Sequence, residues 1–119
     1  MVRRILVVVA AMLAVGCGGG NEPAKRVEEC WKLLSKGDVH KAVQLMDVRE
    51  GERALYVEIF GEQSGELQAA GGMKSFEVTG ISEGSEDATV DAVVRLKDGQ
   101  EIEAAYSLVK RGGKWLITE

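Results

Sequence analysis

An unbroken alternation of apolar and polar residues in the second half of the chain constrains the fold most strongly. Between residues 88 and 96 every second residue is apolar, and the same alternation returns between residues 102 and 108. A period of two sends neighbouring side chains to opposite faces of a strand, so both segments predict strands with one apolar face. A strand that begins near residues 76–78 and a final strand near residues 115–117 extend the pattern.

Glycine-containing turns separate these strands and determine their register. A two-residue loop at Asp98-Gly99 would mix apolar and polar residues on both faces, so we predict a three-residue loop, residues 97–99, with Gly99 in a left-handed conformation. At Gly112-Gly113 a two-residue loop is sufficient, because it places Ile117 beside Leu108. The three-residue loop predicts the pairs Leu96–Gln100, Val94–Ile102, Ala92–Ala104, Val90–Tyr106 and Ala88–Leu108.

The first half of the chain has helical periodicity instead. Apolar residues recur at spacings of three and four between residues 24 and 34, and Pro23 suits a first helical turn. Gly37 is placed to end this helix, and the side chain of Asp38 to cap a second, short helix. Residues 52–60 form a third helical segment, and we expect a loop or a frayed extension of that helix over residues 61–72, which hold four glycines. The sequence therefore predicts an α+β fold in which N-terminal helices pack on an antiparallel sheet of about four strands.

The first residues have the features of a cleaved export signal. Arg3 and Arg4 precede eleven uncharged apolar residues, 5–15, whereas a membrane-spanning helix needs about 20. The residues Leu-Ala-Val-Gly-Cys at positions 13–17 resemble the lipobox of bacterial lipoproteins. That resemblance implies cleavage before Cys17, lipid on its sulfur and acylation of its new amino group. An ordinary secretory signal with an accidental cysteine is the alternative.

This resemblance divides the chain into a signal peptide (1–16), a lipidated cysteine with a Gly-rich tether (17–22) and one α+β domain (23–119). After removal of the signal with its two arginines, the chain has 13 basic and 19 acidic residues, which gives a net charge of −6. Anionic headgroups would repel such a domain, so we expect it to stand off the membrane. The resemblance places the protein in the bacterial cell envelope, anchored through Cys17, and in the outer membrane if the host is Gram-negative, because Gly18 follows the cysteine.

The composition argues against several classes of site. Once Cys17 is lipidated, Cys30 is the one cysteine left, so no disulfide can form within the chain. One histidine and two cysteines cannot supply the usual ligand sets of a metal site. The chain carries a net charge of −4 and has no basic run with interleaved aromatic residues, which argues against nucleic-acid binding. We expect no metal, no cofactor and no nucleic-acid partner.

Three short segments resemble a known superfamily. They are Leu-Leu-Ser-Lys-Gly-Asp at 33–38 with the following Lys41-Ala42, Ala-Thr-Val at 88–90, and Gly-Lys-Trp-Leu-Ile at 113–117. They resemble the nuclear-transport-factor-2-like (NTF2-like), cystatin-like superfamily, and within it small bacterial lipoproteins with a lumazine-binding-like domain of unknown function. The resemblance implies a curved, cone-like antiparallel sheet whose concave side is closed by helices, often in a dimer.

Catalytic members of that superfamily, such as isomerases and dehydratases, place Asp, His or Tyr inside the cone. In the predicted register Tyr106 points to the apolar face, and Tyr56 is placed to approach it from a helix. Asp91 falls on the opposite face, and His40 lies near the start of an exposed helical turn. Since no buried acid–base pair results, we expect no enzyme activity. An isomerase-like or dehydratase-like activity is the least favoured alternative.

The leading hypothesis is a non-catalytic module that binds a small apolar ligand or a peptide inside the cone. Small side chains at Ala88, Ala92 and Ala104 leave room beside the bulky ones. The candidate lining residues are Trp31, Tyr56, Phe60, Val90 and Tyr106. The alternative is a structural or assembly protein of the cell envelope that acts through the opposite sheet face. That face also suggests a homodimer, and its apolar residues are Val93, Ala105, Val109 and Leu116.

Overall fold

The computed structural model describes residues 22–118. The predicted signal peptide and Cys17 lie outside the described residues. The helices are α1 (Glu22–Lys36), α2 (Val39–Val43) and α3 (Arg53–Ala69), with a 3₁₀ turn at Glu50–Glu52; the strands are β1 (Met73–Glu83), β2 (Asp87–Leu96), β3 (Glu101–Arg111) and β4 (Lys114–Thr118). This order confirms the predicted α+β class. Within this part of the chain, no helix has the length and apolar character needed to cross a membrane.

The four strands form one antiparallel meander in the order β1-β2-β3-β4. Val94 pairs with Ile102 and Val90 pairs with Tyr106, so the register predicted for β2 and β3 is confirmed. Gly99 has φ +97°, the left-handed conformation that the three-residue loop requires. The two-residue turn at Gly112-Gly113 is confirmed as well, and the pairs that follow it are Arg111–Lys114 and Leu108–Ile117.

The core lies between α1 and the apolar face of the sheet. Val27 of α1 and Val90 and Val94 of β2 are fully buried, because α1 packs across β1, β2 and β4. Each end of α1 is tied to a different part of the sheet. The Arg26 Nε donates to the Trp115 carbonyl at 2.9 Å, and the Met73 N–H donates to the Ser35 hydroxyl at 3.2 Å.

This diagonal course of α1 leaves one corner of the apolar face less covered. Trp115 lies near the start of β4 and Met73 begins β1, so α1 runs from one side of the sheet to the other. At the start of β3 the inward-facing Ile102, Ala104 and Tyr106 are half-buried, whereas the core residues of β2 are fully covered. The candidate site lies at this corner.

The predicted end of the third helix is wrong, because α3 continues to Ala69 through most of the segment expected to be a loop or a frayed extension. Gly61 and Gly65 lie inside the helix, and a Cβ on either would meet nothing within 4 Å. The helix ends where Gly71 and Gly72 adopt positive φ values. Packing against α1 and α2 outweighs the low helix propensity of two glycines.

In the turn between α1 and α2, the prediction for Gly37 is confirmed and the prediction for Asp38 is wrong. Gly37 has φ +87°, and the Asp38 N–H donates to the Leu33 carbonyl at 2.9 Å, so Gly37 ends α1 as predicted. The predicted side-chain cap by Asp38 is wrong, since its side chain makes no capping hydrogen bond. The bond that ends α1 holds the Asp38 backbone away from the extended conformation of an N-cap.

Candidate functional site

A cavity of about 130 Å³ lies at the less covered corner, between the helices and the sheet. Residues from α1, α3, β3, β4 and the connection after α2 line it, and most of them are apolar. The lining residues are Val27, Cys30, Trp31, Leu34, Met46, Phe60, Gln63, Tyr106, Ile117 and Thr118. An apolar protein cavity of about 150 Å³ is large enough to bind benzene, so this one has room for a single ring or a short aliphatic group.

Helix α1 supplies one wall. Val27, Cys30, Trp31 and Leu34 follow the i, i+3, i+4, i+7 spacing that puts residues on one helix face. Phe60 and Gln63, one turn apart on α3, form the wall opposite.

The segment after α2 reaches the cavity because it runs beside β4. The Asp47 N–H donates to the Ile117 carbonyl at 2.8 Å, and the Ile117 N–H donates to the Leu45 carbonyl at 2.9 Å. These bonds form a parallel bridge between Met46 and Ile117. The side chain of Met46 is thereby fixed in the lining.

Tyr106 brings a hydroxyl group to the apolar wall. The pKa of Tyr106 is raised to about 12, chiefly by burial and then by the nearby Cys30, while a hydrogen bond from Trp31 offsets part of the increase. Burial, followed by the negative charge of Glu29, also raises the pKa of the Cys30 thiol to about 12. Both groups are therefore neutral at physiological pH, and the phenol can exchange a hydrogen bond with a bound molecule.

Three of the five predicted lining residues, Trp31, Phe60 and Tyr106, meet around the cavity. Tyr56 packs one turn before Phe60 with the rings edge to face, 6.5 Å between centroids, and is not part of the lining. Val90 is fully buried in the core and does not reach the cavity either.

The room that we expected beside the small residues of β2 is filled. Ala88 and Ala92 are buried, and neither lines the cavity. The cavity lies instead towards β3 and β4.

The sequence analysis did not assign the other seven lining residues to a site: Val27, Cys30, Leu34, Met46, Gln63, Ile117 and Thr118. Gln63 falls in the segment that we expected to form a loop or a frayed extension, and its position three residues after Phe60 would have placed it correctly had the helix been extended. Met46 reaches the cavity through a long-range bridge to β4, for which the local sequence offers no pattern.

The opposite sheet face carries the predicted partner residues. Val93, Val109 and Leu116 are half-buried there, and Ala105 is exposed. On the same face Arg95 binds Glu77 and Glu101 at 2.9 and 2.8 Å. The face therefore combines scattered apolar side chains with an ion-pair cluster.

The positions of the other candidate polar groups are unsuited to catalysis in the cavity. Asp91 pairs with Ala105 on the outer face and is exposed, and His40 is exposed on α2. Among residues 22–118, no three His, Cys, Asp or Glu side chains come together as a metal site would require.

Comparisons with known proteins identify the fold. No protein-family model matches the chain, and no curated protein matches it. Among solved structures it is similar to a protein from Campylobacter jejuni described provisionally as an NTF2-like transpeptidase, with 17% identity, coverage of 83% of this chain and 99% of that chain, and a TM-score of 0.70. A SEC-C motif containing protein from Rhodopseudomonas palustris is 18% identical over 83% of this chain and 79% of that chain, with a TM-score of 0.64. The likeness to the Campylobacter jejuni protein confirms the predicted NTF2-like fold.

Proposed function

We propose that the chain is a membrane-anchored lipoprotein whose NTF2-like domain is a non-catalytic binding module for a small apolar ligand or an apolar peptide side chain. The observation that carries this proposal is the cavity between α1, α3 and β3, which is walled mostly by apolar side chains and is lined in part by Tyr106. Apolar walls with a few fixed polar groups are typical of small-molecule sites.

The volume of the cavity limits the ligand. Sites for drug-sized molecules measure about 300–1,000 Å³, and this cavity measures about 130 Å³. The occupant is therefore one aromatic ring, a short aliphatic group or a single side chain, oriented by a hydrogen bond with Tyr106.

The ionisation of the polar groups supports a binding role over a catalytic one. A general base works best with a pKa near the pH of its surroundings. The pKa values of Tyr106 and Cys30 are both about 12, so neither group is poised to take a proton at neutral pH.

Native mass spectrometry of the full chain, extracted from membranes in mild detergent, tests the cavity. We expect a retained small-molecule adduct on the wild-type protein. The Cys30→Leu variant, which fills part of the cavity, should lose the adduct, whereas the Cys30→Ala variant, which removes the thiol and keeps the space, should retain it. A wild-type protein with no adduct, or equal occupancy of both variants, would contradict the proposal.

A second candidate function rests on the outer sheet face, where Val93, Val109 and Leu116 remain partly exposed. On this reading the protein has a structural or assembly role and uses the face to bind a second copy or another envelope protein. Light scattering in detergent should then show a dimer, and Leu116→Lys should dissociate it without affecting the cavity adduct. A wild-type monomer would contradict the homodimer.

A further inference from the structure

Two edges of the sheet are protected against pairing with another chain. The outer edge of β4 is bridged by residues 45–47, through the hydrogen bonds between that segment and Ile117. The outer edge of β1 is irregular, because its register with β2 shifts between Met73 and Ser75 and again between Val78 and Gly80. Covered edges and bulges are common protections against strand addition.

The first half of β3 is a third stretch of sheet edge, and it is neither covered by another segment nor interrupted by a bulge. β4 pairs with β3 only from Ser107 to Arg111, so no residue between 22 and 118 pairs with residues 101–106 on that side. The pairing of β2 with β3 has no register shift along this stretch. The first half of β3 is therefore a regular, unbulged edge.

The backbone of this edge points its hydrogen-bonding groups outward at alternate residues. The Leu96 N–H donates to the Gln100 carbonyl at 2.9 Å, and the Lys110 N–H donates to the Glu86 carbonyl at 2.8 Å. Even-numbered residues thus face β2, and in an antiparallel sheet the residues between them face the other way. Three odd-numbered residues, Glu101, Glu103 and Ala105, consequently present their N–H and C=O groups to the open side.

The side chains along this edge define the chemistry of a partner. On the inner face Ile102, Ala104 and Tyr106 are half-buried and apolar in character, and on the outer face Glu101 and Glu103 are exposed. Among the described side chains Glu101 pairs with Arg95, whereas Glu103 makes no ion pair within 4 Å. An added strand would meet an apolar row on one face and an acidic row on the other.

We propose that the first half of β3 binds an extended peptide as an added antiparallel strand, and that the peptide alternates apolar and basic residues. Its backbone bonds with Glu101, Glu103 and Ala105, its apolar side chains cover Ile102 and Ala104, and its basic side chains lie beside Glu103. Peptide addition to a sheet edge obtains affinity from such backbone bonds and specificity from alternate side chains.

A second copy of the chain fits this edge poorly. Pairing the outward-facing residues 101–105 of two copies symmetrically places Glu103 opposite Glu103. Like charges directly opposite each other destabilise a strand pair. The acidic row therefore favours a foreign basic segment over self-association.

Hydrogen exchange on the full chain in detergent tests the backbone pairing. The probe is an octapeptide that alternates lysine and isoleucine, with the same peptide N-methylated at alternate amides as its control. We expect the first peptide to protect the Glu103 and Ala105 amides by about tenfold, on the scale of one net hydrogen bond. The N-methylated peptide should give no protection, and a peptide alternating glutamate and isoleucine should bind much more weakly. Equal protection by all three peptides, or none by the first, would overturn the proposal.

Variants separate this edge from the cavity. Ala105→Pro removes one outward N–H without breaking a bond to β2, and we expect about tenfold weaker peptide binding. Glu103→Lys should weaken binding of the lysine–isoleucine peptide, whereas the matched change Glu83→Lys, at the far end of the sheet, should not. We expect the cavity adduct to persist in Ala105→Pro and Glu103→Lys. The proposal for the edge and the proposal for the cavity can therefore be confirmed or contradicted independently. Unchanged peptide binding in both edge variants would overturn the inference.

Discussion

Because Cys30 and Tyr106 are buried at the cavity wall, we expect the stability of the fold to decrease at alkaline pH. In the unfolded chain a thiol ionises near 9.0 and a phenol near 10.0, and in the folded protein both pKa values rise to about 12. The stabilisation is fully present below pH 9 and is lost as the pH rises through the folded values, because the unfolded chain then binds fewer protons. Tyr106 and Cys30 therefore contribute an alkaline decrease in stability.

We expect the free energy of unfolding by urea to fall between pH 9 and 12, and to fall less steeply in Tyr106→Phe and Cys30→Ala than in the wild type. Other groups also titrate in this range, so the comparison is the difference in slope between each variant and the wild type. Identical slopes would show that these two groups are not shielded from water.

The hydroxyl of Ser64 fixes α3 to the end of α1. Ser64 is 3% exposed, and its hydroxyl donates to the Leu34 carbonyl at 2.6 Å. We expect Ser64→Ala to lower the unfolding free energy by about 1 kcal/mol, the usual worth of such a bond. The exposed Ser85→Ala should change it by less than about 0.5 kcal/mol. Urea denaturation of the two variants makes the comparison, and equal effects would contradict the role of Ser64.

At the level of elements, we expect substitutions of glycine in α3 to stabilise the protein. Gly61 and Gly65 lie in its interior with space for a methyl group, and alanine favours a helix over glycine by about 0.5–1 kcal/mol. We expect Gly61→Ala and Gly65→Ala each to raise the unfolding free energy by that amount. Gly37→Ala should lower it, because Gly37 has φ +87° and its new methyl would lie 2.8 Å from Gln68 Nε2. Thermal and urea unfolding measure all three, and a loss of stability in Gly65→Ala would contradict the space seen beside it.

The register of β2, β3 and β4 was predictable to the residue, whereas the start of β1, which lies at Met73 and not near residues 76–78, and the end of α3 were not. A one-residue slip of β3 against β2 would move Ile102 and Tyr106 to the outer face, so the apolar pattern excludes every odd slip, and the short loop at residues 97–99 excludes the longer ones. Gly61 and Gly71 look alike in the sequence. One lies inside a helix and the other just after its end, and the difference comes from packing against α1 and α2, which local propensity does not contain.

The residues that line the cavity also divide into those that the sequence could predict and those that it could not. Trp31 and Tyr106 could be placed there, because helical and strand periodicity determine which face each occupies. Met46 could not, since it reaches the cavity through the pairing of the α2 connection with β4. The assignment of Val90 failed because the sequence does not show along which diagonal α1 crosses the sheet.

The path of α1 and the length of β4 together account for the cavity and the open edge. The helix is tied to β4 through Arg26 and to β1 through Ser35, so it covers β2 fully and leaves the first half of β3 half-covered. The edge of that half is open because β4 pairs with β3 only from Ser107 to Arg111. The cavity and the open edge adjoin at Tyr106, whose side chain lines the cavity while its strand forms the edge.

The proposed attachment to the membrane rests on acyl chains and not on charge. The domain that follows residue 16 has a net charge of −6, which anionic headgroups repel, whereas each buried methylene of an acyl chain contributes about 0.8 kcal/mol. We therefore expect the full chain to remain in the membrane fraction through a high-salt wash.

Its intact mass in detergent should correspond to loss of residues 1–16 and gain of acyl chains on Cys17. Cys17→Ala should retain the signal peptide and carry no lipid, and the matched Cys30→Ala should be processed like the wild type. An unmodified Cys17, or cleavage at another bond, would contradict lipid anchoring and leave an ordinary secretory signal as the explanation of the first sixteen residues.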